Sequence, residues 1–179
     1  PIVSDMSSTL CTRPIDIDKY GLIFAGAQKN LGIAGLTIVI VKKDLIIGKA
    51  KDLPPLMRFD SHHNDKSMLN TSPVFSWYVA GLVFEWILEQ GGLDAMSKLN
   101  EKKASLFYNY IDNSTMYQNH INPKFRSWVN IPFTMTQDGL EKKFLKMSSD
   151  AGFKNLKGHR TVGGMRASVY NAMPIKAIT

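Results

Sequence analysis

YGLIFAGAQKNLGIAGLTIVIV, residues 20–41, carries two runs of β-branched and aromatic residues on either side of a lysine set among glycine and alanine. The runs at 20–25 (YGLIFA) and 36–41 (LTIVIV) have the length of strands and are apolar at nearly every position. A strand with one wet face alternates polar and apolar residues, so this pattern predicts strands covered on both faces, as in α/β folds. Between the runs, Ala25, Gly26 and Ala27 precede Lys29, and Gly32, Ala34 and Gly35 follow it. Small residues let a backbone approach a bulky ligand, and a lysine held in a dry place there suits covalent attachment to a carbonyl group. Tight packing of strand on loop, with Lys29 at the rim, uses the same residues, and spacing alone leaves both readings open.

Working outward, residues 1–4 (PIVS) form a short apolar run that ends at Asp5. A strand-end aspartate ordinarily forms a turn or caps a helix; it can also pair with a protonated ring nitrogen and keep that ring electron-poor. RPID, residues 13–16, predicts a turn or short helical piece. From 44 to 68 the periodicity stops, and Pro54-Pro55, His62, His63 and mixed charges predict a long ordered loop with room for one short strand. Residues 73–90 then set Phe75, Tyr78, Val79, Leu82, Val83, Trp86 and Ile87 at helical spacing, which predicts a helix with this face in the core, capped by Gly91-Gly92.

From Gly91 onward the pattern predicts a smaller α+β domain, 91–179, after a larger α/β part, 1–90. A helix over 93–111 turns Leu99, Ala104, Leu106 and Phe107 inward and its lysines outward. SWVNIPFTM, residues 127–135, reads as a strand that Pro132 moves to a sheet edge. An amphipathic helix follows over 139–151 with Leu140, Phe144, Leu145 and Met147, then a polar glycine-bearing loop over 157–164 and a short strand over 165–170. Pro174 opens one last helical turn.

The 179 residues are 44% hydrophobic, enough for one sizeable core or two small ones. Lys and Arg exceed Asp and Glu by 22 to 15, but the cations are scattered, and their densest pairs lie near acids or at element ends. That charge reads as solvated surface and argues against nucleic acid as a partner. No apolar stretch reaches the ~20 residues of a membrane span. Cys11 is the lone cysteine, so it makes no intrachain disulfide and reads as a packing residue in a reducing cytoplasm. His62 and His63 lack further ligands at metal spacing, and no metal is assigned. The opening on Pro1 and the ending on NAMPIKAIT lead us to expect a longer protein, with part of any active site outside this stretch.

A strand-end aspartate followed by a strand-end lysine among small residues is the layout of pyridoxal phosphate enzymes with a large α/β domain. SDMSSTLCTRPIDIDKYGLIFAGAQKNLGIAGLTIVIV, MLNTSPVFSWYVAGLVFEWILEQGG and LKGHRTVGGMRASVYNAMP go further. In this order they closely resemble the phosphoserine aminotransferases, homodimeric enzymes of serine biosynthesis, along the C-terminal half of a family chain. The resemblance implies the fold type I aminotransferase architecture, here a partial large domain and a small α+β domain.

It also implies roles. Lys29 would be the catalytic Schiff-base lysine, Asp5 the partner of the pyridine nitrogen and Gln28 a contact of the cofactor phosphate. Asn70 and Thr71 would reach the cofactor phosphate of the neighbouring subunit in a homodimer with shared active sites; read alone, the pair is a helix N-cap. Arg166 would clamp the substrate carboxylate, and His159 and Arg160 would face the substrate phosphate. The implied cofactor is pyridoxal 5′-phosphate and the implied substrates are glutamate and a phosphorylated 2-oxo acid. Ile33 and Ser72 stand where members of that family often carry proline. Another enzyme of the same fold, such as an alanine–glyoxylate-type aminotransferase or a cysteine desulfurase relative, would share Asp5 and Lys29 without needing His159-Arg160. A noncatalytic fold relative would need none of them.

Overall fold

The two apolar runs pair with each other. In the computed structural model, which describes residues 1–46 and 51–179, β1 (Val3–Asp5), β2 (Leu22–Gly26) and β3 (Thr37–Val41) form a sheet in that order. β1 lies parallel to β2, with Asp5 opposite Phe24, and β3 returns antiparallel, with Thr37 opposite Gly26. The parallel pair brings the C-terminal ends of β1 and β2 to one edge. The sheet belongs to the first of two compact units, Pro1–Leu93 and Asp94–Thr179.

Coverage of both sheet faces is not found among the described residues. Ile23 and Ala25 are buried with Met6, Leu10, Ala27 and Leu31, whereas Val3, Val39 and Ile40 remain exposed. The turns after β1 and β2 pack on one side of this sheet, and β3 lines an open groove with Trp77, Ala80 and Phe84. Residue 16 caps a 3-10 turn, Ile17–Lys19, three residues after the expected position began. The expected loop over 44–68 instead holds α1 (Lys43–Ile46), a 3-10 turn at Pro55–Met57 and α2 (Phe59–Asn64), with no strand among its described residues. Residues 47–50 of it lie outside the described residues.

The long apolar helix, α3 (Val74–Glu89), corrects the expected core face. Ser76, Ala80 and Ile87 are its buried residues, while Phe75, Tyr78 and Leu82 are exposed. The reason lies in the loop after Lys29. Ser76 Oγ donates to the Ala34 carbonyl at 2.9 Å, and a Cβ on Gly32 would stand 3.5 Å from the Ala80 backbone nitrogen. Gly35, at φ +109°, would bring a Cβ to 3.0 Å from Ser76 Oγ. Small side chains on both sides therefore set this contact; of the expected face Ile87 is buried and Val79, Val83 and Trp86 are half-buried, while Phe75, Tyr78 and Leu82 face outward. A helix apolar all round belongs in the interior of a larger protein.

In the second unit α4 (Gly92–Asp112) precedes β4 (Tyr117–Gln118), β5 (Asn130–Met135), α5 (Glu141–Asp150) and β6 (Met165–Ser168). The sheet is antiparallel with β5 in the centre. Its core gathers Ala104, Tyr108 and Ile111 of α4 against Ile131, Phe133, Met165 and Ala167, with Phe144 and Leu145 packed on top. Tyr117, Phe133 and Phe144 meet edge-on, with centroids 5.7–5.9 Å apart. Pro132 thus sits in the central strand, not at an edge. It pairs with Arg166, whose amide donates to the Leu156 carbonyl instead, so β6 needs no N–H from Pro132. On its other side the short β4 stops at Gln118, and the Asn119 amide takes the Pro132 carbonyl.

α4 contains a second reversal. Leu106 is exposed, and Lys103, expected on the wet face, is fully buried. Its ammonium donates to the carbonyls of Tyr170, Asn171 and Met173, and Asn100 beside it donates to Asn171 Oδ1 at 2.8 Å. At the other end of α4, Arg126 makes paired bonds of 2.6 and 2.8 Å to Asp112 and covers the Tyr108 ring.

Candidate active site

Asp5 ends β1 and faces its own turn. Its Oδ1 accepts from the Ser7 amide at 2.8 Å and the Ser7 hydroxyl at 2.6 Å. The Ser7 hydroxyl accepts in turn from the Gly26 amide at 2.9 Å, which ties the ends of β1 and β2 together. These bonds favour the ionised carboxylate. The Ser7 hydroxyl holds the exposed Asp5 carboxyl below the usual carboxylate value, the Ser7 amide adds to this, slight desolvation opposes it, and the charge of Lys29 lowers it further. Asp5 and Lys29 are therefore electrostatic neighbours.

Lys29 follows β2 in a turn that the backbone closes twice, Ala27 N to the Leu36 carbonyl and Leu31 N to the Ala27 carbonyl. Asn30, buried beside it, donates to the Leu10 carbonyl at 2.8 Å and joins this turn to the one after Asp5. The expected dry enclosure is not present. Ala25 in β2 and Ala27 just after it are fully buried, but Gln28 and Lys29 themselves are exposed. The small residues thus serve the core and the α3 contact, and no described residue roofs the amine. The Gln28 amide lies back over Gly26, where an added Cβ would fall 2.5 Å from Oε1.

Asn70 and Thr71 are exposed just before α3, and the Asn70 amide donates to the Thr71 carbonyl at 3.1 Å. They do not cap the helix, because the N-cap residue is Pro73, with no side-chain bond to the helix. Asn70 also lines a groove of about 680 Å³ with His62, Ser72, Trp77 and β3. Among the described residues no hydrogen bond joins Asn70 or Thr71 to the Asp5–Lys29 group. His62 Nε2 lies 3.0 Å from the Leu56 carbonyl.

In the second unit His159 and Arg160 ride on an exposed loop over 158–164 that leads into β6, where Arg166 is also exposed. The loop is closed by Gly158 N to the Gly164 carbonyl and Gly163 N to the His159 carbonyl, both at 2.8 Å. His159 Nδ1 lies 2.7 Å from Thr161 Oγ1 and accepts from the Thr161 amide at 3.3 Å. An amide can only donate, so Nδ1 is the acceptor and the proton of a neutral ring resides on Nε2, leaving a donor for an anion.

Ser7 and Thr161 join the site residues without any signal of their own in the sequence. Each stands two positions after a residue singled out there, Asp5 and His159, and a hydroxyl at that spacing from a side-chain acceptor is a recurrent mark of a turn.

The chain belongs to a class of enzymes, the class-V aminotransferases, whose family pattern matches residues 2–179. Within that class it is 52% identical over 178 residues to the phosphoserine aminotransferase of Hahella chejuensis, covering 99% of this chain and 49% of that protein. Among solved structures it is similar to phosphoserine aminotransferase from Bacillus circulans subsp. alkalophilus, with 46% identity and a TM-score of 0.95 over 99% of this chain and 50% of that one. The pyridoxal-phosphate-bound phosphoserine aminotransferase from Trichomonas vaginalis gives 40% identity and a TM-score of 0.93 over 99% and 51% of the two chains. The chain spans about half the length of the relatives it matches.

Proposed function

We propose that the protein carrying this chain is a phosphoserine aminotransferase that moves the amino group of glutamate to 3-phosphohydroxypyruvate, giving 2-oxoglutarate and phosphoserine. The observation that carries the reading is the 52% identity to a phosphoserine aminotransferase over 99% of this chain, and the Asp5–Lys29 pair after β1 and β2 supplies the groups that any aminotransferase of the class needs. The donor set fits pyridoxal 5′-phosphate. An ionised carboxylate whose Oδ1 accepts twice from Ser7 has Oδ2 for a ring N–H, and the exposed amine of Lys29 follows β2 in the next turn, where its charge acts on that carboxylate. Bound there, the cofactor supplies a carbonyl that links to amines and a ring that takes up the electron pair of a substrate carbanion.

This chain's residues then divide the work. Asp5 holds the ring nitrogen protonated by its charge. Lys29 Nζ would hold the cofactor between turnovers and, as a free amine, would take the proton from the substrate Cα. Gln28 contacts the cofactor phosphate, and Asn70 and Thr71 reach that of a second copy in a homodimer. Arg166 clamps the substrate carboxylate through paired bonds. His159, with its Nε2–H donor, and Arg160 receive the substrate phosphate. The walls that enclose Lys29 come from the remaining length of the protein, and the single cysteine fits a cytoplasmic enzyme.

A panel of 2-oxo acids with and without a phosphate group tests the reading in the full-length protein. Selectivity for the phosphorylated acid, lost in Arg160→Ala, is expected. Equal rates on unphosphorylated acids in the wild type would point to another member of the class.

A further inference from the structure

We propose that Ser7 is a positioning residue of this site: its hydroxyl fixes the Asp5 carboxylate by one oxygen, leaves the other for the ring nitrogen, and fastens that hold to the end of β2. The proposal rests on the reading of Asp5 as the ring-nitrogen partner.

The direction of the Ser7 proton is determined by its neighbours. The Gly26 amide, 2.9 Å away, can only donate, so the Ser7 hydroxyl accepts there and its own proton goes to Asp5 Oδ1 at 2.6 Å. The Ser7 amide gives Oδ1 a second donor at 2.8 Å. Both of these bonds demand an acceptor, which a carboxylate is and a carboxyl protonated at Oδ1 is not. Among the described residues no donor reaches Oδ2. Ser7 is itself 7% exposed, so water does not readily replace its hydroxyl, and the Met6 amide, bonded to the Phe24 carbonyl at 2.8 Å, keeps the turn in register with β2. Lys29 is the charged side chain that acts on Asp5, and its contribution ranks behind both Ser7 bonds and the opposing effect of burial. The ionisation of Asp5 therefore depends on the Ser7 hydroxyl more than on the lysine.

The test uses the full-length protein loaded with pyridoxal 5′-phosphate labelled with nitrogen-15 in the ring, whose chemical shift reports protonation of that atom. In Ser7→Ala the carboxylate loses its fixed orientation, so the pH at which the ring nitrogen loses its proton is expected to fall by about one unit; a rise, as a merely more basic Asp5 would give, overturns the proposal. Ser7→Thr keeps the hydroxyl and is expected to titrate with the wild type, while Ser7→Cys, a weaker donor, lies between. Should Ser7→Ala fail to fold, Ser7→Cys carries the comparison. A loss of thermal stability with an unmoved nitrogen titration, or Ser7→Thr shifted as far as Ser7→Ala, overturns the proposal. Asp5→Asn separates this from the underlying reading. If it leaves the nitrogen signal unchanged, Asp5 is not the partner of the ring; if it removes the protonated signal while Ser7→Ala and Ser7→Cys do not move it, only the role of Ser7 fails.

Discussion

Lys103 Nζ donates to the Tyr170 carbonyl at 2.9 Å from a side chain with no exposed surface. With the Asn171 and Met173 carbonyls it fastens the backbone turn after β6 to α4, and burial lowers its pKa to about 8. Lys103→Met removes the donor from three carbonyls and is expected to cost about 2–4 kcal/mol in chemical denaturation of the full-length protein. The sign with pH follows from linkage. Between about 8 and 10.5 the unfolded chain holds the lysine proton that the folded chain has released, so stability rises with pH. The wild type should therefore gain on Lys103→Met over that window, and a difference that stays flat would show that the carbonyls hold the ammonium charged.

Gly158 shapes the loop that presents His159 and Arg160. A Cβ there would lie 2.0 Å from the Gly163 carbonyl oxygen, a backbone atom that cannot turn aside. Gly158→Ala should open the loop, raise KM for the phosphorylated 2-oxo acid at least tenfold, about 1.4 kcal/mol of lost binding, and leave the cofactor spectrum intact. Steady-state kinetics with each substrate separates these effects; an unchanged KM would remove this loop from the phosphate site.

Val74, Phe75, Tyr78, Leu82 and Leu88 of α3 are exposed in this chain, a larger apolar surface than soluble proteins leave uncovered. Residues 1–179 expressed alone should bind a hydrophobic dye strongly and show no transamination, whereas the full-length protein should do the reverse. Turnover by the isolated chain would contradict the expectation that the walls around Lys29 come from elsewhere.

The strands at 20–41, the helix over 73–90 and the amphipathic helix over 139–151 were legible because their periodicity is local. What could not be read was direction. The apolar residues of α3 recur all round, so no side stands out as the buried one, and only the contact of Ser76 with Ala34 selects it. Lys103 looks like any surface lysine until three carbonyls some 70 residues away close on it. Pro132 signals an edge in sequence, but the central strand tolerates it where β6 asks for no donor and β4 has already ended. At the site, Asp5 was legible as a strand end and Lys29 as the turn after one, whereas Ser7 was not, because its value lies in a bond to Gly26 on the neighbouring strand.

The central claim is that Lys29 carries the cofactor. Borohydride reduction of the full-length protein loaded with pyridoxal 5′-phosphate, followed by proteolysis and mass spectrometry, reads it directly. The account predicts the reduced pyridoxyl phosphate mass on the peptide containing Lys29, and transamination abolished in Lys29→Ala. The label on another lysine, or normal transamination in Lys29→Ala, would contradict it.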